Sequence, residues 1–419
     1  MLENMSVRNE KVRSILKYAG ALGVAGSISL LLSPVLSRNM TTEAFGQLSA
    51  AILYVNTLSV FCTFSIHGLV SVKYHKLDRT SFVSLFSVAL TMFFVAWAVF
   101  NLIFQALVYF EIINLPWKLS VFAPVISFLL GLNLIYLSLF QTAEQVDQYC
   151  TSKVANASLD IFITICVLYL FVSLIELSRF LGWTFGLALA LGYSILLAKL
   201  EIKPRLSRAS VSTVLSFCGP LFPHVAVGLL SGLVDKILVY EVLGPTIMAP
   251  YMLATYLGAA LLIIIEPLNK AFAPWIFKEL KKKNINKLEK YTKIYYLVLG
   301  LASFCFYFFG VFFVTLLMPE EYIDALEYLP FILAGVFFQG LYLIKANVLF
   351  YFERNFTVSK ISIFVFCANI FLALFLVDNF GASGAAATGV IVNGLAFTMV
   401  RVFANKIIGN INDPALHRI

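Results

Sequence analysis

The sequence predicts an all-α, polytopic membrane protein with about twelve transmembrane helices. Of the 419 residues, 61% are hydrophobic and only 12% are charged, and the mean hydropathy is +0.91. Soluble domains carry about 25% charged residues, so this composition excludes an ordinary soluble domain. The apolar runs are continuous over about 20 residues, which is the length of a membrane-spanning helix, whereas the strands of a membrane barrel would alternate apolar and polar residues.

Hydropathy and the charged or Gly- and Pro-rich loops delimit the spans. We predict them at 15–36, 44–67, 82–108, 119–141, 154–176, 180–199, 212–240, 246–268, 291–317, 327–350, 356–377 and 384–404. The loop at 200–211 separates two halves of six spans, which predicts an N-terminal bundle at 1–205 and a C-terminal bundle at 206–419. Both halves begin on the same side of the membrane, so they would be parallel repeats related by an axis along the membrane normal.

Each predicted half ends on a segment that is rich in small residues. The segment LGWTFGLALALG (Leu181–Gly192) resembles FGASGAAATGVIVNG (Phe380–Gly394). Small residues at such spacing let helix backbones approach closely. We therefore expect close helix contacts at both places.

The positive charges predict the orientation of the chain. With the N-terminus in the cytoplasm, 25 of the 30 Lys and Arg residues fall in cytoplasmic segments, and only Arg38, Lys118 and Arg179 fall in outer loops. The remaining two, Lys236 and Lys345, lie within spans. This asymmetry follows the positive-inside rule and predicts that both termini are cytoplasmic. The positive residues that produce the net charge of +8 lie mainly in predicted cytoplasmic loops, so this charge does not indicate binding of nucleic acid.

The longest predicted loop, at 269–293, combines apolar side chains with eight lysines. This pattern indicates an amphipathic helix that lies on anionic lipid headgroups. It is also typical of an ordinary cytoplasmic loop that obeys the positive-inside rule. The two interpretations are compatible.

Asp235 and Lys236 are adjacent charged residues within the seventh predicted span. A charge at the bilayer centre costs roughly 3 kcal/mol on insertion scales, so it is retained where it is paired or faces water or a ligand. Neighbouring side chains on a helix point about 100° apart, so we do not expect these two to pair solely with each other. Six prolines between positions 220 and 274 free backbone carbonyls nearby, which predicts a bent segment beside a cavity.

The other charges within spans provide further candidates. Lys345 would bind a diphosphate or an acidic sugar, or would instead pair with a buried acid or extend to the membrane surface. Asp160, Asp235 and Glu266 are candidates for proton or sodium coupling, with structural pairing as the alternative. Asp160 follows Asn156 by four residues, so both lie on one helix face. We expect no other cofactor and no metal site, because no P-loop, Ser-His-Asp arrangement or cluster of metal ligands occurs.

The end of the first predicted span carries a basic motif, LLLSPVLSRNMTTEAFGQLSA (Leu30–Ala50). Pro34 interrupts the helix, and Arg38 stands just beyond it at the outer surface. Arg38 would either reach lipid phosphate or line the mouth of a central cavity, since a guanidinium suits bidentate binding of phosphate.

Three more motifs follow in order: GPLFPH (Gly219–His224) before Asp235-Lys236, Ala249-Pro250-Tyr251, and GASGAAATG (Gly381–Gly389). Together with the Arg38 motif, they resemble the polysaccharide-transporter branch of the multidrug/oligosaccharidyl-lipid/polysaccharide (MOP) exporters, and in particular the O-antigen-type (Wzx-type) flippases. Lys236 stands where that family usually has Arg, and Ala249 stands where it usually has Gly. The resemblance covers the whole chain in length, number of spans and motif order.

The resemblance implies two six-helix bundles around a central cavity that opens alternately to each side, as in MATE-like transporters. It implies a substrate, an oligosaccharide repeat unit on undecaprenyl diphosphate, that crosses the bacterial inner membrane from the cytoplasmic to the periplasmic leaflet. Arg38, Lys236 and Lys345 are then the candidate cavity cations. A polysaccharide polymerase and a chain-length regulator are candidate partners.

Alternative functions remain open at this stage. A MATE-like, cation-coupled exporter of small molecules would share the architecture, although the cationic interior suits an anionic substrate better. A membrane glycan polymerase or ligase would need a large outer loop with clustered Arg and His, and the predicted outer loops are short. A purely structural protein would retain costly buried charges without benefit.

Overall fold

The computed structural model describes residues 17–18, 20–199 and 208–411. These residues form helices and their connecting turns, with no β-strand among them. The chain divides into two compact units, Met1–Leu230 (unit 1) and Ser231–Ile419 (unit 2). The predicted bundle boundary between 205 and 206 lies outside the described residues.

Unit 1 is built from helices that follow a helical stretch over 20–26. They are α1 (Ile28–Asn39), α2 (Thr42–Thr63), α3 (Ile66–Lys73), α4 (Arg79–Tyr109), the short α5 (Trp117–Ser120), α6 (Phe122–Thr142), α7 (Val146–Leu170), α8 (Ser178–Ala198) and α9 (Arg208–Ser231), whose last residue belongs to unit 2. A 3₁₀ turn at Val172–Leu177 precedes α8. The helices α7 and α8 pack along each other, and α6 packs against both α2 and α8.

Unit 2 begins with short helical pieces and continues with long helices. They are α10 (Val234–Leu238), a π-helical turn at Val239–Leu243, α11 (Pro245–Lys281), α12 (Ile285–Leu317), a 3₁₀ turn at Glu320–Tyr322, α13 (Ala325–Tyr351) and α14 (Asn355–Ile411). The centre of this unit is α13, which packs against α11, α12 and α14.

The helix α14 supplies two spans. Its apolar run Phe356–Gly409 has 54 residues, and a straight helix of that length would be about 80 Å long, more than twice the ~30 Å of hydrocarbon that a span crosses. The backbone breaks at Gly381, at φ 60° and ψ −140°. A Cβ at Gly384 would collide with the carbonyl oxygen of Leu376, eight residues earlier, so the chain folds back here. Among the described residues, eleven helices can cross a membrane, and counting α14 twice confirms the twelve predicted spans.

The small residues predicted to bring helices together do so. A Cβ on Gly186 would lie 2.9 Å from the amide nitrogen of Asp160 on α7, and one on Gly182 would lie 2.7 Å from the Asp160 carbonyl. In unit 2, a Cβ on Gly335 of α13 would lie 3.2 Å from the backbone of Gly389 on α14. Close approach at both small-residue segments is therefore confirmed, because a larger residue at these positions would push the helices apart.

The prediction of a loop at 269–293 is wrong. The helix α11 continues unbroken to Lys281, and α12 begins at Ile285, where the side chain of Asn284 accepts a hydrogen bond from the amide of Lys287. Buried apolar side chains on both helices, including Ile276 and Leu288, lie at this end of the hairpin. The alternation of lysines and apolar residues therefore belongs to a helical hairpin with a buried inner face.

The seventh predicted span, 212–240, is also interrupted. The helix α9 ends at Ser231, turn residues follow, and α10 begins at Val234. Asn369 of α14 donates a hydrogen bond of 2.6 Å to the carbonyl oxygen of Ser231 at this break. The helices α9 and α11 stay continuous across their own prolines, so the break occurs beside the charged pair Asp235 and Lys236 instead of at a proline.

Candidate functional site

Most of the charged residues that the sequence placed within spans lie in three polar clusters, one in unit 1 and two in unit 2: Asp160, Asp235, Lys236 and Lys345. We name them the Asp160 cluster, the Asp235 cluster and the Lys345 cluster. Each combines a predicted residue with partners from other helices or from a helix break.

The Asp160 cluster is a buried ion pair between α7 and α8. The guanidinium Nη1 of Arg179 contacts Asp160 Oδ1, and the two side chains are 6% and 1% exposed. Thr164 donates its hydroxyl to the same carboxylate oxygen at 3.4 Å, and the guanidinium lies 5.5 Å from the ring centre of Trp183. The assignment of Arg179 to an outer loop is wrong, because the first turn of α8 buries it inside unit 1.

Two oxygens of this cluster lack a partner. Asp160 Oδ2 and the side-chain oxygen of Asn156 are buried and accept no hydrogen bond from the described part of the chain. They belong to residues four positions apart on α7, as the sequence indicated. A buried acceptor without a donor is costly, so a proton, a cation or a water molecule bound here would be stabilising.

The Asp235 cluster forms where the seventh span is broken. Lys236 Nζ lies 3.2 Å from both carboxylate oxygens of Asp235 and 2.8 Å from the carbonyl oxygen of Gly232. The hydroxyl of Tyr251 donates a hydrogen bond of 2.6 Å to Asp235 Oδ2. Tyr251 is 1% exposed, and its ring centre lies 5.7 Å from that of Tyr328.

The expectation that Asp235 and Lys236 have further partners agrees with these contacts. The two residues also contact each other directly, within the short helix α10. The turn before α10 offers Lys236 a further acceptor, the carbonyl oxygen of Gly232. The charge of Lys236 is therefore already compensated within unit 2.

The Lys345 cluster lies between α13 and α14. Lys345 Nζ donates to Asn405 Oδ1 at 3.4 Å, and the charges of Arg401 and Glu289 act on it. Arg401 and Asn405 are four residues apart, so they share a face of α14 with Phe397, whose ring centre lies 6.0 Å from the Arg401 guanidinium. Neither Lys345 nor Arg401 forms an ion pair within 4.0 Å in the described part of the chain.

Aromatic rings lie beside Arg401. Asn347, two residues after Lys345, faces the opposite side of α13, where its side-chain amide donates to that of Asn269 on α11 at 2.9 Å. Tyr296 on α12 and Phe338 on α13 lie with ring centres 6.1 and 6.4 Å from Phe397. Hydropathy alone did not reveal Arg401 as a site residue, because it lies near a predicted span end and was counted as an ordinary cytoplasmic charge.

The remaining predicted residues lie apart from these clusters. Arg38 is exposed in the last turn of α1, and Glu266 is exposed within α11, just before Pro267. Neither makes a side-chain hydrogen bond or an ion pair within the described residues. In that same part of the chain, no group of three His, Cys, Asp or Glu side chains could hold a metal ion.

Comparison with solved structures identifies the fold. An inward-facing multidrug resistance MATE family transporter of the MOP superfamily matches with a TM-score of 0.74 at 11% identity, over 93% of this chain and 94% of that one. The outward-facing conformation of a MATE family transporter matches with a TM-score of 0.65 at 12% identity, over 94% and 95%. A MOP superfamily transporter from Pyrococcus furiosus, described as having a binding pocket of reversed polarity, matches with a TM-score of 0.66 at 11% identity, over 96% of both chains.

Sequence comparisons are more limited. A curated Haemophilus influenzae protein, Lsg locus putative protein 1, is 26% identical over 152 residues. The matched segment is 36% of this chain and 38% of that protein, so it spans well under half of either. No protein-family model matches the chain. The structural matches cover nearly the whole chain, and it therefore has the fold of the MATE family transporters of the MOP superfamily.

Proposed function

We propose that the protein is a flippase for an oligosaccharide repeat unit linked to undecaprenyl diphosphate. It moves this substrate from the cytoplasmic to the periplasmic leaflet of the bacterial inner membrane, for O-antigen or a related surface polysaccharide. It is a transporter and not an enzyme, and it works by alternating access. A fold shared with transporters and the chemistry of the Lys345 cluster support the proposal.

The observation that carries the proposal is a pair of like charges, Lys345 and Arg401, that no acid among the described residues contacts within 4.0 Å; the charge of Glu289 acts on Lys345 only from a greater distance. Lys345 and Arg401 repel each other, and no acid among the described residues forms an ion pair with either. Such an arrangement within a span is stabilised when an anion binds. A diphosphate brings the matching charge, and the planar guanidinium of Arg401 can bind phosphate oxygens in a bidentate manner.

The neighbours of this cation pair suit the rest of such a substrate. The amide of Asn405 can donate to and accept from sugar hydroxyls. The rings of Phe397 and Phe338 provide an apolar side for a sugar face or a lipid chain. Arg38 and Lys236, the other predicted cations, contribute to the path of the diphosphate in this proposal.

Coupling to a proton or to sodium is assigned to the acids within spans. Asp160 is the first candidate, because its Oδ2 is buried and unpartnered beside the unpartnered oxygen of Asn156. A cation arriving there competes with Arg179, which already holds the other carboxylate oxygen. Asp235 would likewise release Lys236 and bind the arriving cation instead. The exposed Glu266 is the third candidate.

The transport cycle is proposed to bend the helices that contain proline. Pro34 lies in α1, Pro220 and Pro223 lie in α9, and Pro250 lies in α11. Each proline removes one backbone hydrogen bond and so lowers the cost of a bend. The lysine-rich hairpin at 269–293 is proposed to rest on anionic lipid, and a polymerase and a chain-length regulator are proposed as partners.

A MATE-like exporter of small molecules is the second candidate. It is favoured by the solved structures that match, since two of them are described as multidrug resistance transporters. The two candidates differ in the charge of the substrate. The cation pair of the Lys345 cluster would repel a cationic drug and attract an anionic substrate.

Complementation of a strain that lacks its own flippase tests the proposal. Lys345→Ala and Arg401→Ala should reduce surface polysaccharide and cause the lipid-linked unit to accumulate, whereas Lys345→Arg should retain export. Losing one charge-assisted hydrogen bond of about 1.5–3 kcal/mol would weaken substrate binding by roughly 10- to 100-fold.

Lys406→Ala is the matched control, because Lys406 is an exposed lysine on the same helix, next to Asn405. Membrane levels of every variant must equal those of the unmodified protein. If the unmodified protein fails to restore export but exports cationic dyes, the second candidate is supported. If it restores export and both Ala variants do so equally well, the Lys345 cluster is not the substrate site.

A further inference from the structure

Unit 1 contains a cavity that plays no part in the proposed transport. It has a volume of about 390 Å³. Its walls come from the turn between α3 and α4, the start of α4, the ends of α6 and α8, and the residue before α7. The lining residues are Tyr74, Leu77, Arg79, Phe82, Val83, Leu139, Ala143, Gln145 and Ala198.

The cavity lies at one end of the spans of unit 1. Arg79 is the first residue of α4, Ala143 follows the last residue of α6, Gln145 directly precedes α7, and Ala198 is the last residue of α8. Span ends are where a helix leaves the hydrocarbon for the polar headgroup region of the bilayer. The cavity is therefore at the depth of lipid headgroups. Its volume is at the small end of ligand sites, which is enough for a headgroup but not for a glycan repeat unit with its lipid.

The lining combines one cation with polar and apolar walls. Arg79 is exposed and forms no ion pair or side-chain hydrogen bond with the described residues. The neighbouring acid, Asp78, forms no ion pair with Arg79 within 4.0 Å, and its carboxylate accepts a hydrogen bond of 3.1 Å from the amide of Ser81. Gln145 adds an amide donor, and Tyr74 and Phe82 meet edge to face, with ring centres 5.2 Å apart.

We propose that this cavity binds the phosphate of an anionic phospholipid from the adjoining leaflet. Arg79 holds the phosphate oxygens, Gln145 donates to the glycerol or headgroup oxygens, and the start of an acyl chain rests on Leu139 and Ala143. Basic pockets between transmembrane helices bind anionic headgroups in this way. The site is separate from the lysine-rich hairpin of unit 2 and does not depend on the identity of the transported substrate.

Native mass spectrometry of the purified full-length protein tests the proposal. The protein is titrated with phosphatidylglycerol or with phosphatidylcholine, and bound lipid is counted. We expect a tightly bound phosphatidylglycerol that phosphatidylcholine does not replace. Arg79→Gln should weaken it about tenfold or more, which is the size of one charge-assisted contact to phosphate. The control Lys76→Gln removes a charge of the same sign from the neighbouring turn without altering the lining, and it should change the affinity less than about twofold.

A second variant separates loss of charge from loss of fold. Ala143→Phe fills the cavity without changing any charge, and it should also abolish the tight lipid while the helical circular dichroism stays unchanged. Equal lipid binding by the unmodified protein, Arg79→Gln and Ala143→Phe would overturn the proposal. A site that takes inorganic phosphate alone with the same dependence on Arg79, and from which millimolar phosphate expels the lipid, would overturn the assignment to a membrane lipid.

Discussion

Replacing Arg179 by Gln should destabilise unit 1 strongly. The change leaves the carboxylate of Asp160, which is 1% exposed, without its counter-ion. Removing one partner of a buried ion pair costs about 3–5 kcal/mol, because the remaining charge stays buried. Asp160→Asn should cost a similar amount, since it strands the guanidinium instead.

The double variant Asp160→Asn with Arg179→Gln distinguishes a true pair from two independent residues. Removing both charges leaves two neutral amides, so the double variant should be more stable than the sum of the single losses predicts, by about 2 kcal/mol or more. Hydrogen bonds between helices in a membrane average only about 0.6 kcal/mol in such cycles. The expected coupling is therefore well above that of an ordinary polar contact.

Unfolding of the purified variants in mild detergent, followed during titration with a denaturing detergent, measures these differences. The ion pair of Lys17 with Asp147 is the matched control, because these side chains are 38% and 79% exposed. Lys17→Gln should change stability by less than about 1 kcal/mol. A coupling energy between Asp160 and Arg179 at or below about 0.6 kcal/mol would refute the reasoning, since the pair would then behave like an ordinary contact.

Three further predictions concern single contacts. Tyr251→Phe removes the hydroxyl donor to Asp235 and should lower the free energy of unfolding by about 1.5–3 kcal/mol; an unchanged detergent-unfolding midpoint would contradict that contact. Gly186→Ala places a Cβ 2.9 Å from the backbone of α7 and should lower the free energy of unfolding by about 1–3 kcal/mol. The control Gly192→Ala, with no atom within 4 Å of its Cβ, should be neutral or stabilising by up to about 1 kcal/mol. Equal thermal midpoints for the two variants would refute the close approach of α7 and α8 at Gly186. Hydrogen bonds from Ser81, in the first turn of α4, lower the pKa of Asp78, so the carboxylate stabilises the fold above the ordinary carboxyl pKa and loses this effect as the pH falls through the lowered value. Asp78→Asn should therefore be less stable than the unmodified protein at neutral pH. A difference in stability that persisted at strongly acidic pH would contradict this prediction.

The sequence determines the number and the order of the spans because hydropathy is a local property. It does not determine which side chains meet across helices. Arg179 follows an apolar run by only a few residues, so local composition assigned it to a loop, but packing of α7 against Gly182 and Gly186 buries it beside Asp160. The two charges are nineteen positions apart in the sequence, a spacing that the hairpin of α7 and α8 can bring together.

The polar clusters of unit 2 illustrate a similar limit. Asp235 and Lys236 contact each other, but their further partners, Tyr251 and the carbonyl oxygen of Gly232, come from another helix and from the break that follows Ser231. The extension of α11 to Lys281 was hidden because lysines on its outer face gave the segment the composition of a loop. Lys345 was recognisable from its apolar surroundings, but its neighbour Arg401 belongs to another helix.

Binding of the lipid-linked diphosphate to the purified protein tests the central claim most directly. The unmodified protein and the Lys345→Ala, Arg401→Ala double variant are each placed in nanodiscs and titrated with an oligosaccharide on undecaprenyl diphosphate. The cation pair predicts binding that weakens at least 100-fold in the double variant, while Lys406→Ala binds as tightly as the unmodified protein. Equal affinity of the unmodified protein and the double variant would contradict the assignment of the Lys345 cluster to the diphosphate.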